Sequence, residues 1–297
     1  MKILNFGSCN IDYVYKLEQF VSAGETVSAK ELSEHAGGKG LNQSIAAGRA
    51  GGEVYHAGNI GSDGLSLKKL LEDSGIHTEY LHIASERTGH AIIQLDKKGE
   101  NCIIVYSGAN GLLNEQQIDE ILANFSAGDI CMLQNETPCT SYVIEAAHQA
   151  GLRVIWNPSP MNEAVDRDKL ALCSCVLINQ TEGQYLTGKS SPGEIVRRFS
   201  ALYPQTDLVL TLGSSGSVYS GCGRQIRQAA FRAEPVDTTG AGDTFTGYFA
   251  ACLSKGETIE EALRVASAAA AVSTEQLGAA NSIPTVARVN ERLRTAQ

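Results

Sequence analysis

The sequence has no excess of positive charge, no long apolar run and no paired-cysteine motif, and each absence removes a class of function. Its 24 Lys and Arg stand against 33 Asp and Glu, a formal net charge of −9 over 297 residues. That balance leaves no basic footprint for nucleic acid or an anionic membrane. No stretch reaches 18 apolar residues, which argues against a helical membrane span. The opening run MKILNFG is broken by Asn10 and Asp12 too soon for a signal peptide. Eight cysteines occur without a CxxC pair or a histidine spacing suited to zinc, Cys173 and Cys175 being the closest pair. They read as reduced, mostly buried thiols, and the expected compartment is the cytoplasm. The first strand-like run leads into GSCNID rather than GxGxxG, which sets aside a dinucleotide-binding reading. Internal repeats, linkers and low-complexity segments are also missing.

What is present is a large apolar fraction, 43%, sufficient for the core of one α/β domain spanning 1–297. Strand-like runs at Ile3–Gly7, Val54–Ala57, Ile130–Leu133, Val154–Trp156, Val176–Ile178 and Leu208–Leu212 alternate with helical patterns such as Leu41–Ala50, Leu65–Ser74, Ser141–Ala150 and Ile195–Leu202. The alternation predicts a doubly wound, mostly parallel sheet with helices on both faces. Two insertions, at about 13–36 and 88–107, break the rhythm and read as short antiparallel strands, the second turning at Lys97–Glu100. The C-terminal part is helical, with Asp243–Ser254 followed by Ile259–Ala271, whose alanine run permits close approach of a nucleotide or another backbone.

The most informative stretch is DTTGAGD, Asp237–Asp243. Glycines 240 and 242 allow a tight turn that aims N–H groups outward, and the helix starting near Asp243 adds its positive dipole end. An anion fits there. A carboxylate at that helix start can take a proton from a hydroxyl while the amides stabilise charge on a transferring phosphoryl group, the chemistry of a kinase. A second glycine-rich turn, GGKGLN from Gly37 to Asn42, lies far upstream.

Together these motifs resemble the signatures of the ribokinase-like (PfkB) carbohydrate kinase family. The likeness runs nearly end to end through NID (Asn10–Asp12), GAN (from Gly108), NETP (from Asn135), NPSP (from Asn157), NQTE (from Asn179) and TLGSSG (from Thr211). It implies Asp243 as the base and the amides of Gly240, Ala241 and Gly242 as the anion hole. Asn10, Asp12, Gly38, Lys39, Asn42 and Glu136, with Asp243, are implied as sugar contacts, Gly38 letting backbone approach the sugar. Asn179, Thr211, Gly213, Gly216, Gly242 and Ser267 would line ATP. Ser267 stands where the family usually carries Asn or His beside the adenine. Glu182 would hold Mg²⁺ through water; as bare residues, Asn179 and Glu182 equally read as a helix N-cap and its capping-box acid. A monovalent-cation (K⁺) loop is implied at Asp237, Thr239, Ser273, Gln276, Gly278 and Ser282.

By the same resemblance the two insertions form a β-lid over the sugar and clasp a second copy into a homodimer. His90 is then a lid residue that could face the sugar, whereas histidines 35, 56, 77, 82 and 148 read as surface or satisfied structural residues. The implied reaction is ATP-dependent phosphorylation of a primary hydroxyl on a furanose-type sugar, D-ribose to D-ribose 5-phosphate first, with another sugar or a nucleoside as the nearer alternative. A non-catalytic sugar-binding regulator is the alternative from a different class.

One further motif competes. Gly183–Ser190, GQYLTGKS, matches the P-loop expression letter for letter. A P-loop needs a strand before its first glycine and a long helix from its lysine. Here TEGQYL reads as helix, Gly188 as its cap, and Pro192 as an interruption, so the match is taken as accidental.

Overall fold

The structure, a computed structural model, describes residues 1–295. In chain order its elements are β1 (Lys2–Phe6), β2 (Asn10–Lys16), β3 (Glu31–Gly37), α1 (Lys39–Arg49), β4 (Glu53–Gly61), α2 (Leu65–Asp73), β5 (His77–Ala84), β6 (Gly89–Leu95), β7 (Asn101–Tyr106), α3 (Glu115–Leu122), β8 (Ile130–Leu133), α4 (Thr140–Gln149), β9 (Arg153–Trp156), β10 (Cys175–Asn179), α5 (Gln180–Thr187), α6 (Pro192–Leu202), β11 (Asp207–Thr211), β12 (Ser217–Gly221), β13 (Arg224–Gln228), α7 (Ala241–Ser254), α8 (Ile259–Ser273) and α9 (Val286–Thr295).

Nine strands form the main sheet in the order β13-β12-β11-β10-β9-β8-β1-β4-β5. Pairing is parallel from β5 to β11 and antiparallel at β12 and β13. The central strands are short apolar runs: all four residues of β8, ICML, are buried, the pattern of a parallel sheet covered on both faces. Two cores result. One gathers residues of α1, α2, α7, α8 and α9 against the sheet, including Ile45, Tyr248, Phe249 and Ala266. The other gathers α3, α4 and α6 around Trp156, Ile144 and Phe199. Helices α1 and α7 pack backbone close: a Cβ at Gly247 would press on Ala46 and on the carbonyl of Gln43.

The chain builds the sheet outward from β1 in one direction through β4 and β5, then in the other from β8 through β11. The reversal between β1 and β8 opens a crevice at their carboxyl ends, where open α/β sheets bind ligands.

The second sheet has the order β3-β2-β6-β7. The expectation of purely antiparallel strands holds for the two hairpins but not for their junction, because β2 and β6 pair in parallel. Each leading strand leaves the same end of the main sheet, β2 after β1 and β6 after β5, and so runs in the same sense. The small sheet also begins earlier than expected, at Asn10, so Asn10 and Asp12 are strand residues. Strand β5 and helix α9 lie outside the patterns picked from sequence. Strand β5 alternates only weakly, exposing His77, Glu79 and His82 at the sheet edge.

Candidate active site

Each strand end at the crevice delivers one or two polar groups. Strand β1 runs through Gly7 and Ser8 into β2 with Asn10 and Asp12; β8 leads to Gln134 and Glu136; β9 to Asn157; β10 to Asn179; and β11 ends at Thr211. Helices α1 and α7 point their N-termini into the same space, carrying Lys39 and Asp243.

The turn before α1 is packed with no room for side chains. Gly38 sits at φ 94°, in the left-handed region, and a Cβ there would lie 2.8 Å from the carbonyl oxygen of Ser8. A Cβ at Gly40 would collide with the backbone of Gly7 and Ser8, and one at Gly37 with the carboxylate of Asp12. The glycine at 38 is therefore required by the protein's own packing.

At the second turn, Gly240 takes φ 75° as N-cap of α7. Gly242 does not share that conformation. It lies in the first helical turn, is exposed, and a Cβ built on it meets nothing within 4 Å.

Asp243 is 6% exposed, and both its oxygens accept side-chain amides from α1. Asn42 Nδ2 donates to Oδ2 at 3.1 Å and Gln43 Nε2 to Oδ1 at 3.0 Å. Asn42 Oδ1 is buried without a protein partner. Glu136 Oε2 accepts from the Lys39 amide at 2.8 Å and from the Ser8 hydroxyl. The Asp243 carboxylate beside Lys39 raises the ammonium's pKa against the opposing effect of burial, with Glu136 and Glu182 adding to the rise. Burial raises the Glu136 carboxyl, opposed by the Ser8 hydrogen bond and by Lys39. Burial, then the charge of Glu136, pushes Asp12 up to about 7.

Two adjoining cavities are formed. The smaller, about 220 Å³, is lined by Lys39, Asn157, Asn179, Glu182, Thr211, Gly240, Gly242, Asp243 and neighbours. The larger, about 540 Å³, is mainly apolar and is lined by Thr211, Gly213, Gly216, Ala241, Gly242, Phe245, Ser267, Ala270 and Ala271 among others. Thr211 and Gly242 border both. The small residues of α8 form one wall, as its alanine run allows. Asn10, Asp12, Gly38, Asn42 and Glu136 line neither cavity; they lie on the lid side, joined to the smaller one through the Glu136–Lys39 and Asn42–Asp243 bonds.

Asn179 and Glu182 form a complete capping box for α5, each side chain holding the other's backbone N–H at 2.9 Å. Glu182 thus commits Oε2 to the helix while facing the cavity. A single carboxylate among oxygen donors suits Mg²⁺, which keeps most of its water. Asp237 ties two loops together: Oδ1 accepts from the Thr239 amide and hydroxyl, and Oδ2 from the Gly278 amide at 2.9 Å. Ser273 and Gln276 adjoin by a long backbone bond of 3.4 Å. Ser282 is not bonded to that group; its hydroxyl donates to Ala279 O. Asp237, Thr239, Ser273 and Ser282 offer oxygens of the hardness a monovalent cation takes. Among the described residues no cluster of three or more His, Cys, Asp and Glu is present.

The segment 183–190 has no P-loop geometry. Gly183 lies inside α5, Gly188 caps it at φ 69°, Lys189 is exposed in the connection, and Pro192 opens α6. His90 is half-buried between Tyr13 and Tyr106, at ring separations of 6.0 and 5.2 Å. His56 is buried and satisfied by Ser44 Oγ at 2.8 Å and Cys9 Sγ at 3.2 Å.

Four further residues of the site were not assigned roles from sequence. Asn110, in the GAN motif, holds the Cys9–Asn10 backbone and side chain. Asn157, in NPSP, accepts from Gln43 at 3.0 Å. Gln43 and Gln134 bond to each other at 2.7 Å. The available signal was burial-breaking polarity: two glutamines at positions where the helix and strand patterns call for apolar side chains.

A buried carboxylate at a helix N-terminus, beside an ammonium and lining a polar cavity that adjoins an apolar one, suits a transferase that moves an anionic group onto a hydroxyl. The chain belongs to the pfkB family of carbohydrate kinases, whose family model matches residues 1–286. It is 35% identical over 288 residues to a ribokinase of Haemophilus influenzae, covering 94% of each chain. It is 34% identical to a ribokinase of Bacillus subtilis, covering 97% of each. A solved structure of Arabidopsis thaliana ribokinase complexed with ribose and ATP superimposes with a TM-score of 0.90 at 32% identity, over 99% of this chain and 98% of that one. This protein is accordingly a phosphotransferase acting on a sugar hydroxyl.

Proposed function

We propose that the sugar is D-ribose, that the donor is ATP, and that Asp243 is the base that takes the proton from the primary hydroxyl as it attacks the γ-phosphate in line. The observation that carries this reading is Asp243 itself, buried at the N-terminus of α7 on the wall common to Lys39, Glu182 and the amides of the 240–242 turn. Buried amides from Asn42 and Gln43 hold the carboxylate aimed. Proton removal by a positioned base contributes about 10² to 10⁴-fold. The N–H groups of Gly240, Ala241 and Gly242 oppose the charge that develops on the phosphoryl oxygens.

On the sugar side, Asp12 accepts two adjacent hydroxyls, while Lys39 donates and the free Asn42 Oδ1 accepts. Asn10 and Glu136 complete that wall. ATP lies along the larger cavity, its base against α8 near Ser267 and its phosphates toward Thr211, Gly213 and Gly216. Mg²⁺, when bound, neutralises phosphate charge; Glu182 would hold it through water. The loops tied by Asp237 would hold K⁺. Closure of the small sheet excludes water that would otherwise hydrolyse ATP. Strand β7 is exposed along its whole length, with Ile103, Ile104 and Val105 each about half or more uncovered. An apolar edge of this kind supports pairing with a second copy through the lid. A cytoplasmic location accords with the free cysteines, of which Cys9, Cys131, Cys173, Cys175 and Cys252 are buried.

The test is a panel of sugars and nucleosides with coupled ADP detection. D-ribose should give the highest kcat/KM; a clear preference for 2-deoxyribose, a hexose or a nucleoside would overturn the substrate assignment while leaving the kinase class intact.

A further inference from the structure

Behind Asp243 lies an unbroken run of buried amides whose orientations determine one another. Gln43, fully buried on α1, donates from Nε2 to Asp243 Oδ1 at 3.0 Å and to Asn157 Oδ1 at 3.0 Å. Its Oε1 accepts from Gln134 Nε2 at 2.7 Å. The same Gln134 Nε2 donates to Asn5 Oδ1 at 2.9 Å. Asn5 Nδ2 donates in turn to Gly40 O and to Ser44 Oγ, both at 2.8 Å. If Gln43 turned over, its carbonyl oxygen would face the Asp243 carboxylate and its NH₂ group would face that of Gln134, two repulsive contacts among buried groups.

We infer that Gln43 is a positioning residue for phosphoryl transfer: with Gln134 behind it, it fixes the rotamer of Asp243 from the side away from the substrate. This rests on the reading of Asp243 as the base. Asn42 and Gln43 both donate to Asp243 and neither borders a cavity, but Asn42 keeps its Oδ1 unpartnered, whereas Gln43 spends both ends of its amide on protein partners. Loss of the Gln43 bond leaves the Asp243 carboxylate freer to rotate on its Oδ1 side, while the contacts proposed for the sugar at Asp12, Lys39 and Glu136 stay in place.

The decisive variant is Gln43→Glu, which keeps the shape and still accepts from Gln134 but can donate to Asp243 only while protonated. The expected result is a kcat lowered about 10- to 100-fold at neutral pH, the size of one lost bond to a charged group. KM for ribose should change less than about threefold. The pH profile of kcat should change shape as well, the loss growing as pH rises and the introduced carboxyl gives up its proton. Asp243→Asn is measured alongside. If Asp243→Asn is disabled while Gln43→Glu turns over like wild type, or loses kcat by a factor independent of pH, Gln43 is structural packing only and the inference fails. If Asp243→Asn turns over normally, the assignment of the base fails first. Should Gln43→Glu not fold, Gln134→Met decides the same question: position 134 borders neither cavity, and the change frees the Gln43 amide to turn over. A lowered kcat with unchanged ribose KM supports the inference; an unaltered kcat overturns it.

Discussion

Replacing Gly242 by Ala separates what the protein needs at that position from what a ligand needs. Gly242 has helical backbone in the first turn of α7, and a Cβ built there meets no protein atom within 4 Å. The folded protein therefore accommodates the methyl group. Alanine also loses less conformational freedom on folding than glycine, by about 0.5–1 kcal/mol in a helix. For a chain of this size the gain corresponds to a melting temperature higher by about 1–2 °C. The same methyl stands where Gly242 borders both cavities, beside the turn whose amides are proposed to receive the transferring phosphoryl group. Blocking one donor of such an anion hole costs about 10² to 10³-fold in turnover. Thermal unfolding followed by circular dichroism, paired with steady-state kinetics in ATP, reads both effects on one preparation. A Gly242→Ala protein that melts higher and turns over normally would refute the anion hole; one that melts several degrees lower would refute the claim that the position is sterically free.

Three further outcomes are expected. Asp243→Asn keeps sugar and ATP affinity but lowers turnover about 10² to 10⁴-fold, measured by the same ADP-coupled assay; retained turnover would remove Asp243 from the mechanism. Lys189→Ala leaves ATP affinity and turnover unchanged, because Lys189 is exposed beyond the end of α5; a large fall in ATP binding by the folded variant would reinstate the P-loop reading. With the Asp12 carboxyl raised to about 7, lowering the pH from about 8 to about 6 protonates it and raises the ribose KM, and Asp12→Asn loses that dependence. The stability effect has the opposite sense. The native state keeps the Asp12 proton between the ordinary value of 3.8 and about 7, where the unfolded chain has released it, so this group's contribution to stability falls as pH rises through that window. Asp12→Asn should therefore melt higher than wild type at about pH 8, and by less at about pH 4; equal melting temperatures at the higher pH would show that Asp12 carries no such burden.

The strands of the main sheet were legible because they are buried on both faces, and a short apolar run such as ICML bounded by polar residues has few other uses. Strand β5 was not, since at the sheet edge only one face is covered and the alternation is diluted by His77, Glu79 and His82. The orientation of the β2–β6 pair was equally hidden, being set by the direction in which two distant segments leave the main sheet rather than by anything within them. At the site, charged and glycine-rich turns announced themselves, and Lys39, Glu182 and Asp243 do face one cavity. The amides behind them carried no spacing signal. Gln43 and Gln134 are meaningful only once helix α1 and the end of strand β8 are brought together, so their pairing belongs to tertiary structure and not to any local pattern.

The glycine turn under the sugar side has a consequence for how such an enzyme could change its diet. At positions 7, 37, 38 and 40 every added carbon would strike backbone or the Asp12 carboxylate. At the proposed sugar site that floor is closed to revision, because a side chain added there meets packed backbone or Asp12. The ceiling is different in kind: the rings of Tyr13 and Tyr106 each pack on His90, standing on strands of a sheet with open edges. If the proposed sugar site holds, substrate preference is changed at Tyr13, His90 and Tyr106 above it and not in the glycine turn beneath.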